Sequence, residues 1–200
     1  MGRPRKSDQP DKDPRELILR SARNELEKNG ILGLRVAEVA TNANYSVSII
    51  YRYFGDRDGL LAQVLGDLYE EILDRAAQKL AAGLPSSGPL TLDQIIRLAP
   101  LPSEAYTNVD LRLRLQILAV AATNPELESR LKDIAQSRLK LMKEWSKNVT
   151  SRLPDGQVFD ERVLFIVIVN QLLYYNTLMG DLAIGDEEYL QFLKDKSSKI

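Results

Sequence analysis

The side chains that most often do covalent, redox or metal chemistry are missing from this sequence: none of its 200 residues is cysteine or histidine. That removes disulfides, thiol nucleophiles, zinc-finger ligand sets and histidine acid–base catalysis. Carboxylates are plentiful, but no paired-acid motif, phosphate loop or metal-ligand cluster stands out, so the chain reads as neither an enzyme nor a metal or cofactor protein. The residues that do form a pattern are polar donors around an apolar stripe, Val47-Ser48-Ile49-Ile50-Tyr51-Arg52-Tyr53-Phe54. At about 100° of turn per residue, Ile50 and Phe54 share one helix face and Ser48 and Arg52 the opposite one. Ile49 lies beside Arg52, and Tyr51 and Tyr53 fall on the flanks. Such a helix suits a DNA major groove, with its outer face on base edges and its flanks on the two phosphate walls. Arg52 can donate two hydrogen bonds to guanine, Val47 and Ile49 can touch thymine methyls, and Ser48 can bond to several bases. The tyrosine hydroxyls can donate to phosphate oxygens. The plainer reading, that the aromatic residues are core, fits Phe54; for the tyrosines it would require one rigid helix to bury both flanks.

An octet of this kind must be held by other helices, and the chain reads as helix after helix. Asp13-Pro14-Arg15-Glu16 has the composition of a capping box, with Pro14 at the first helical position. The helix it opens carries Ile18, Leu19, Ala22 and Leu26 and ends at Asn29-Gly30, where Gly30 suits a left-handed cap. A short helix over about 35–41 turns Val36, Val39 and Ala40 inward. Ser46 then caps the octet, and Asp56 caps a long helix carrying Leu61, Val64, Leu65, Leu68 and Ile72 that fades near Gly83. A Pro/Gly/Ser loop, 84–90, precedes a second capping box, Thr91 to Gln94, on a helix that stops at Pro100. Further helices are expected over about 110–123, 125–153, 160–180 and 186–194. Leu111-Arg112-Leu113-Arg114-Leu115 alternates like a strand, but a lone strand has no partner, and Gln116–Ala122 favours helix. The fold class is therefore all-α.

Three short helices followed by a long one point to a helix-turn-helix. Here a family resemblance enters. Residues 15–65 resemble the DNA-binding domain of the tetracycline-repressor (TetR) family of bacterial regulators, through Val39-Ala40, Ala43-Asn44-Tyr45-Ser46, the octet, Arg57 and Leu60. The resemblance implies that Val47, Ser48, Ile49 and Arg52 face bases and that Tyr51, Tyr53 and Arg57 bind phosphates; the capping Ser46 is counted with them in the expected DNA-binding set. The sequence departs from the family pattern in several places. Arg35 stands where a capping threonine is usual, weakening that end or reaching a phosphate itself. Asn44 replaces the turn glycine, and Ser48-Ile49 replaces Gly-Thr, so the operator sequence does not carry over. Ahead of this domain, Gly2-Arg3-Pro4-Arg5-Lys6 resembles an AT-hook, a flat basic arm for the minor groove; a solubilising tail is the competing reading.

The charge distribution agrees: net charge is −1, yet residues 1–60 are net +2 and the remainder net −3. The expected organisation is a basic arm over 1–12, a helix-turn-helix domain over 13–58 and a helical regulatory and dimerisation domain over 59–200. The helices at 125–152 and 160–180 are candidates for a homodimer interface. The latter is apolar on nearly every side through Val163–Val169 and must be covered. The resemblance further implies a pseudo-palindromic double-stranded DNA operator. It also implies a small-molecule effector, largely apolar, in a cavity lined by Leu68, Tyr69, Ile72, Tyr106, Leu113, Arg114, Ile117, Phe165, Val169, Leu173 and Tyr174. For each of these, ordinary core is the competing reading. Arg114 is the sharpest of them, because its helical neighbours Ile117, Leu118 and Ala121 are apolar and a charge there wants a partner. Asp110 or Glu104 in an ion pair is the favoured partner, an acidic effector the alternative. No apolar run is long enough to span a membrane and the N-terminus is polar, so the expected location is cytoplasmic. A repressor released by its effector is the leading reading; a constitutive or architectural DNA-binding protein is the alternative.

Overall fold

The computed structural model describes residues 13–99, 101–105, 108–159 and 185–197, and all regular structure among them is helical. The order is α1 (Pro14–Gly33), α2 (Val36–Ala43), α3 (Val47–Phe54), α4 (Arg57–Ala82), α5 (Leu92–Ile96), α6 (Pro102–Ala105), α7 (Val109–Ala121), α8 (Pro125–Thr150) and α9 (Asp186–Ser197). The basic arm, Tyr106 and the helix expected over 160–180, with Phe165, Val169, Leu173 and Tyr174, lie outside the described residues. The alternating 111–115 segment is part of α7, as its right-hand neighbours required.

The chain divides into two compact units. One holds residues up to Leu68 together with Val120–Arg130; the other holds Tyr69–Ala119 and the chain from Leu131 onward. In the first unit, α1 packs on α2 and α2 on α3. The buried side chains follow the apolar periodicity: Ile18, Ala22 and Leu26 from α1, Val36, Val39 and Ala40 from α2, Ile50 and Phe54 from α3, and Leu60, Leu61, Val64 and Leu65 from α4. A buried hydroxyl joins α1 to α2, Ser21 Oγ donating to the Val39 carbonyl at 2.9 Å. Asn124 caps α8 by accepting from the Leu127 N–H, and its amide donates to the Asp58 carbonyl at 3.0 Å. Gly66 allows Arg130 to lie across α4, where it donates to the Gln63 carbonyl and pairs with Asp67.

In the second unit, Leu90, Ile95, Val149 and Phe159 form one buried cluster, with Trp145 meeting the Phe159 ring edge-on at 5.9 Å. Ile96, Ala99 and Leu193 form another, against Tyr189 and Leu190 of α9. Burial there pushes the Tyr189 hydroxyl up to about 12. The 84–90 loop is stitched to the end of α8 by Arg152, which donates to the Pro85 and Gly88 carbonyls.

Several local expectations need correction. Asp13 caps α1 through the Arg15 N–H at 2.9 Å, one residue nearer than a capping box requires, and exposed Glu16 completes no reciprocal bond. Gly30 interrupts α1 with φ 70° and ψ 176°, a glycine-favoured conformation but not the left-handed helical cap, and one further turn follows to Gly33. Ser46 occupies the cap position of α3 without a side-chain hydrogen bond. Helix α5 ends at Ile96 rather than at Pro100, because Leu98 and Ala99 donate three residues back and tighten the chain into turns. The Thr91–Gln94 capping box is fully formed.

Candidate nucleic-acid interface and helical cavity

The outward face of α3 is built by anchoring its inward one. Ile50 is fully buried and Phe54 nearly so. Arg15 of α1 stands over the Phe54 ring, 5.6 Å from its centroid. With that face fixed, Ser48 and Arg52 are exposed and Val47 and Ile49 half-buried. Tyr51 and Tyr53 are 42% and 39% exposed, large aromatic surfaces that core packing alone would have covered. The angular assignment made from the sequence is thus the arrangement in the fold. The Arg52 guanidinium lies 5.5 Å from the Tyr53 ring centroid, a contact that restricts a long side chain without hiding its donors.

The turn ahead of α3 depends on Asn44, whose φ of 61° and ψ of 38° are left-handed helical. Its side chain tolerates that region better than most, so the missing turn glycine is absorbed. Arg35 precedes α2 with no side-chain cap and is exposed. The link from α3 to α4 is the tightest part of the unit. Asp56 accepts from the Gly59 N–H at 2.9 Å, and Gly59 sits directly under the Phe54 carbonyl. Arg57 is partly engaged: its Nε donates to the Leu34 carbonyl at 3.4 Å, and a terminal nitrogen lies 3.8 Å from Asp58. Its cation sits in the first turn of α4, unfavourable beside a helix N-terminus until an anion arrives. The described members of the sequence-derived DNA set therefore cluster on α3 and the starts of α2 and α4.

A cavity of about 300 Å³ lies within the second unit, walled by Ile72, Leu80, Leu98, Leu101 and Leu111 and edged by Arg75, Lys79, Arg97, Glu104, Asn108, Asp110 and Arg114. Of the residues expected from sequence, Ile72 and Arg114 line it. Leu68, Tyr69, Leu113 and Ile117 do not, and Ile117 is fully buried. Arg97, Leu98, Ala99 and Leu101, which follow α5, and Glu104 of α6 were not named from the sequence because this broken stretch leaves no periodic stripe to read. The ion pair expected for Arg114 is also corrected. Asp110 is held by Arg75, which donates to both carboxylate oxygens at 2.7 and 2.9 Å and keeps the Asp110 carboxyl below its ordinary range. Arg114 is only 9% exposed, and its Nε has no hydrogen-bond partner among the described residues. Burial disfavours its charge, opposed by Tyr69 and Asp110 nearby. Among the described residues no cluster of acidic side chains could hold a metal ion, and no helix is long and apolar enough to cross a membrane.

A helix-turn-helix on three short helices, continued by a larger helical unit, defines a class of DNA-binding transcriptional regulators. Comparison with known proteins gives the family of the N-terminal segment. Residues 18–64 match the family model of bacterial regulatory proteins, tetR family. No curated relative matches the chain. Solved structures match over nearly its whole length. A TetR-family regulator from Mesorhizobium loti is 20% identical, with TM-score 0.60, covering 92% of this chain and 93% of its own. The multidrug binding protein EbrR, complexed with imidazole, is 18% identical, with TM-score 0.58, covering 95% and 97%. A regulator from Streptomyces coelicolor A3(2) is 16% identical, with TM-score 0.59, covering 93% and 99%. At these identities the structures establish the shared fold alone, while the matched segment carries the DNA-binding domain. Residues 18–64 thus form a TetR-family DNA-binding domain, and the chain as a whole shares its fold with regulators of that family.

Proposed function

We propose that the protein is a repressor that binds a pseudo-palindromic DNA operator as a homodimer and leaves it when a small, largely apolar molecule occupies the second unit. The observation that carries the DNA reading is the outward face of α3, where Ser48, Arg52 and two exposed tyrosines surround a buried Ile50. In this reading Val47, Ser48, Ile49 and Arg52 address bases. Tyr51, Tyr53, Arg57 and Arg35 address phosphates, and the arm with Arg3, Arg5 and Lys6 tracks the minor groove. The effector reading is supported by the cavity and by the similarity to EbrR, described as a multidrug binding protein. Residues 59–200 then serve regulation and dimerisation, and exposed Leu139 and Leu141 on α8 are apolar surface for a second copy.

Release requires that the effector bind the DNA-incompetent state more tightly. A hundredfold fall in DNA affinity needs about 2.7 kcal/mol of coupling, and DNA must then weaken the effector by the same factor. The test is selection of bound fragments from the source genome, followed by titration of the selected site. Arg52→Ala is expected to cost roughly 1–3 kcal/mol and relax one position in each half-site, whereas Tyr51→Phe weakens all sequences alike. An unchanged selected sequence and affinity for Arg52→Ala would refute the docking. If ligands that stabilise the protein all leave DNA affinity untouched, constitutive DNA binding takes the place of induction.

A further inference from the structure

We propose that the cavity of the second unit takes a small organic acid, an apolar body ending in one carboxylate, and that Arg114 is the residue that recognises the carboxylate. This deepens the effector reading above and rests on it for its regulatory meaning, though not for the binding itself. The cavity's volume of about 300 Å³ lies at the small end of ligand sites, and leucine and isoleucine side chains make most of its walls. Its charged rim is largely spoken for. Arg75 is committed to Asp110 through two hydrogen bonds, and Arg97 to Asp93 at 2.8 Å. Glu104 accepts from the Leu101 N–H. Lys79 stands exposed at the edge. Arg114 alone among the lining cations is buried, and its Nε is unmatched among the described residues.

A guanidinium cannot relieve that situation by losing its proton. Tyr69 acts on Arg114, but burial raises its hydroxyl above the ordinary value, so it stays neutral near pH 7. Asp110 acts on Arg114 from a distance while bonded elsewhere. What the site lacks is a planar anion of single charge able to accept from the Arg114 guanidinium, and a carboxylate is that group. A neutral ligand would leave the guanidinium unpaired. A multiply charged phosphate would need cations beyond the single uncommitted one inside.

The experiment is calorimetric titration of the full chain with phenylacetate and octanoate, with phenylacetamide and octanamide as neutral counterparts and inorganic phosphate as the bare anion. Arg114→Met and Arg114→Lys accompany the wild type. The acids are expected to bind wild type at least about tenfold more tightly than the amides, as charge-assisted hydrogen bonds require. Arg114→Met should erase that preference, and Arg114→Lys should keep part of it. Arg114→Met should also melt no lower than the unliganded wild type, since it removes an unpaired buried charge; this shows that the variant folds. Acids and amides binding alike, no acid binding at all, acids binding Arg114→Met as well as wild type, or phosphate competing equally would each overturn the proposal. DNA titration with the same compounds separates it from the reading beneath. If acids bind through Arg114 yet leave DNA affinity unchanged, the carboxylate site stands and induction falls. If an amide releases DNA from wild type and Arg114→Met alike, induction stands and the carboxylate site falls.

Discussion

Replacing Gly59 by alanine sets two effects of opposite sign against each other, and the structure decides between them. Gly59 is the third residue of α4, and helix propensity alone favours alanine over glycine by about 1 kcal/mol. Its Cβ, however, would overlap the carbonyl oxygen of Phe54 and come within 3.1 Å of a Glu126 carboxylate oxygen. The Phe54 carbonyl is backbone at the end of α3 and has no rotamer to escape through. The link between α3 and α4 must therefore shift, which also strains the Asp56 cap on the Gly59 N–H. Overpacking of this kind costs about 1–3 kcal/mol, and a weakened cap adds about 1 kcal/mol. The expected net loss is thus about 1–3 kcal/mol, read as a lower urea midpoint at unchanged slope. Gly66→Ala is the internal control. There the obstacle is the Arg130 side chain, which can swing away at the cost of its hydrogen bond to Gln63, so propensity and lost bonding nearly cancel. If Gly59→Ala is as stable as wild type, the close approach at the α3–α4 link is not a constraint and the reasoning fails.

Two further outcomes follow from single residues. Asn44→Val should destabilise the first unit by about 1–2 kcal/mol, because a β-branched residue must enter the left-handed region, while Asn44→Gly should be near neutral; equal stability of the two in urea would refute the turn argument. The hydrogen bond from Arg75 lowers the Asp110 carboxyl, so its stabilisation is present above the ordinary aspartate range near about pH 4 and fades as pH falls through the depressed value. Since both partners are more than a third exposed, Asp110→Asn should cost no more than about 1 kcal/mol at pH 7, and that gap should close on acidification and shrink with salt; a gap independent of pH would show that the pair is not its cause.

What the sequence reveals depends on whether the deciding contacts are local. The octet 47–54 could be assigned face by face because one helical period fixes the angle between Ile50 and Arg52, and the buried and exposed sides fall where that angle puts them. The left-handed turn at Asn44 and the Thr91–Gln94 box were legible for the same reason: each is settled within four residues. Local readings also failed, as at the Asp13–Glu16 box and the Gly30 cap, and others failed where a neighbour along the chain competes with one far away. Asp110 is one turn from Arg114, and adjacency favoured that pair, but Arg75, 35 residues earlier, takes both carboxylate oxygens. The part of the cavity wall supplied by residues 97–104 was not named from the sequence, since that broken stretch is too short to show a period.

The misassigned pair also bears on how the site is built. Had Arg114 closed on Asp110, the cation would be neutralised within one helix turn, and the cavity would hold only weak rim charges. Because Arg75 removes Asp110 from competition, the inner guanidinium is held in an apolar wall with its demand unmet, a state that costs stability in the unliganded protein. A carboxylate that enters recovers that cost as binding energy, so specificity for charge is set by the Arg75–Asp110 pair as much as by Arg114. The consequence is that Asp110→Asn and Arg75→Met should act oppositely on acid binding. Asp110→Asn removes a competing negative charge from the lining and should tighten phenylacetate. Arg75→Met frees Asp110 to turn to Arg114 and should weaken it; a general loss of cavity charge predicts the same two signs, so the double variant decides, because in the Asp110→Asn background Arg75→Met should no longer weaken phenylacetate, whereas a general charge effect would weaken it still.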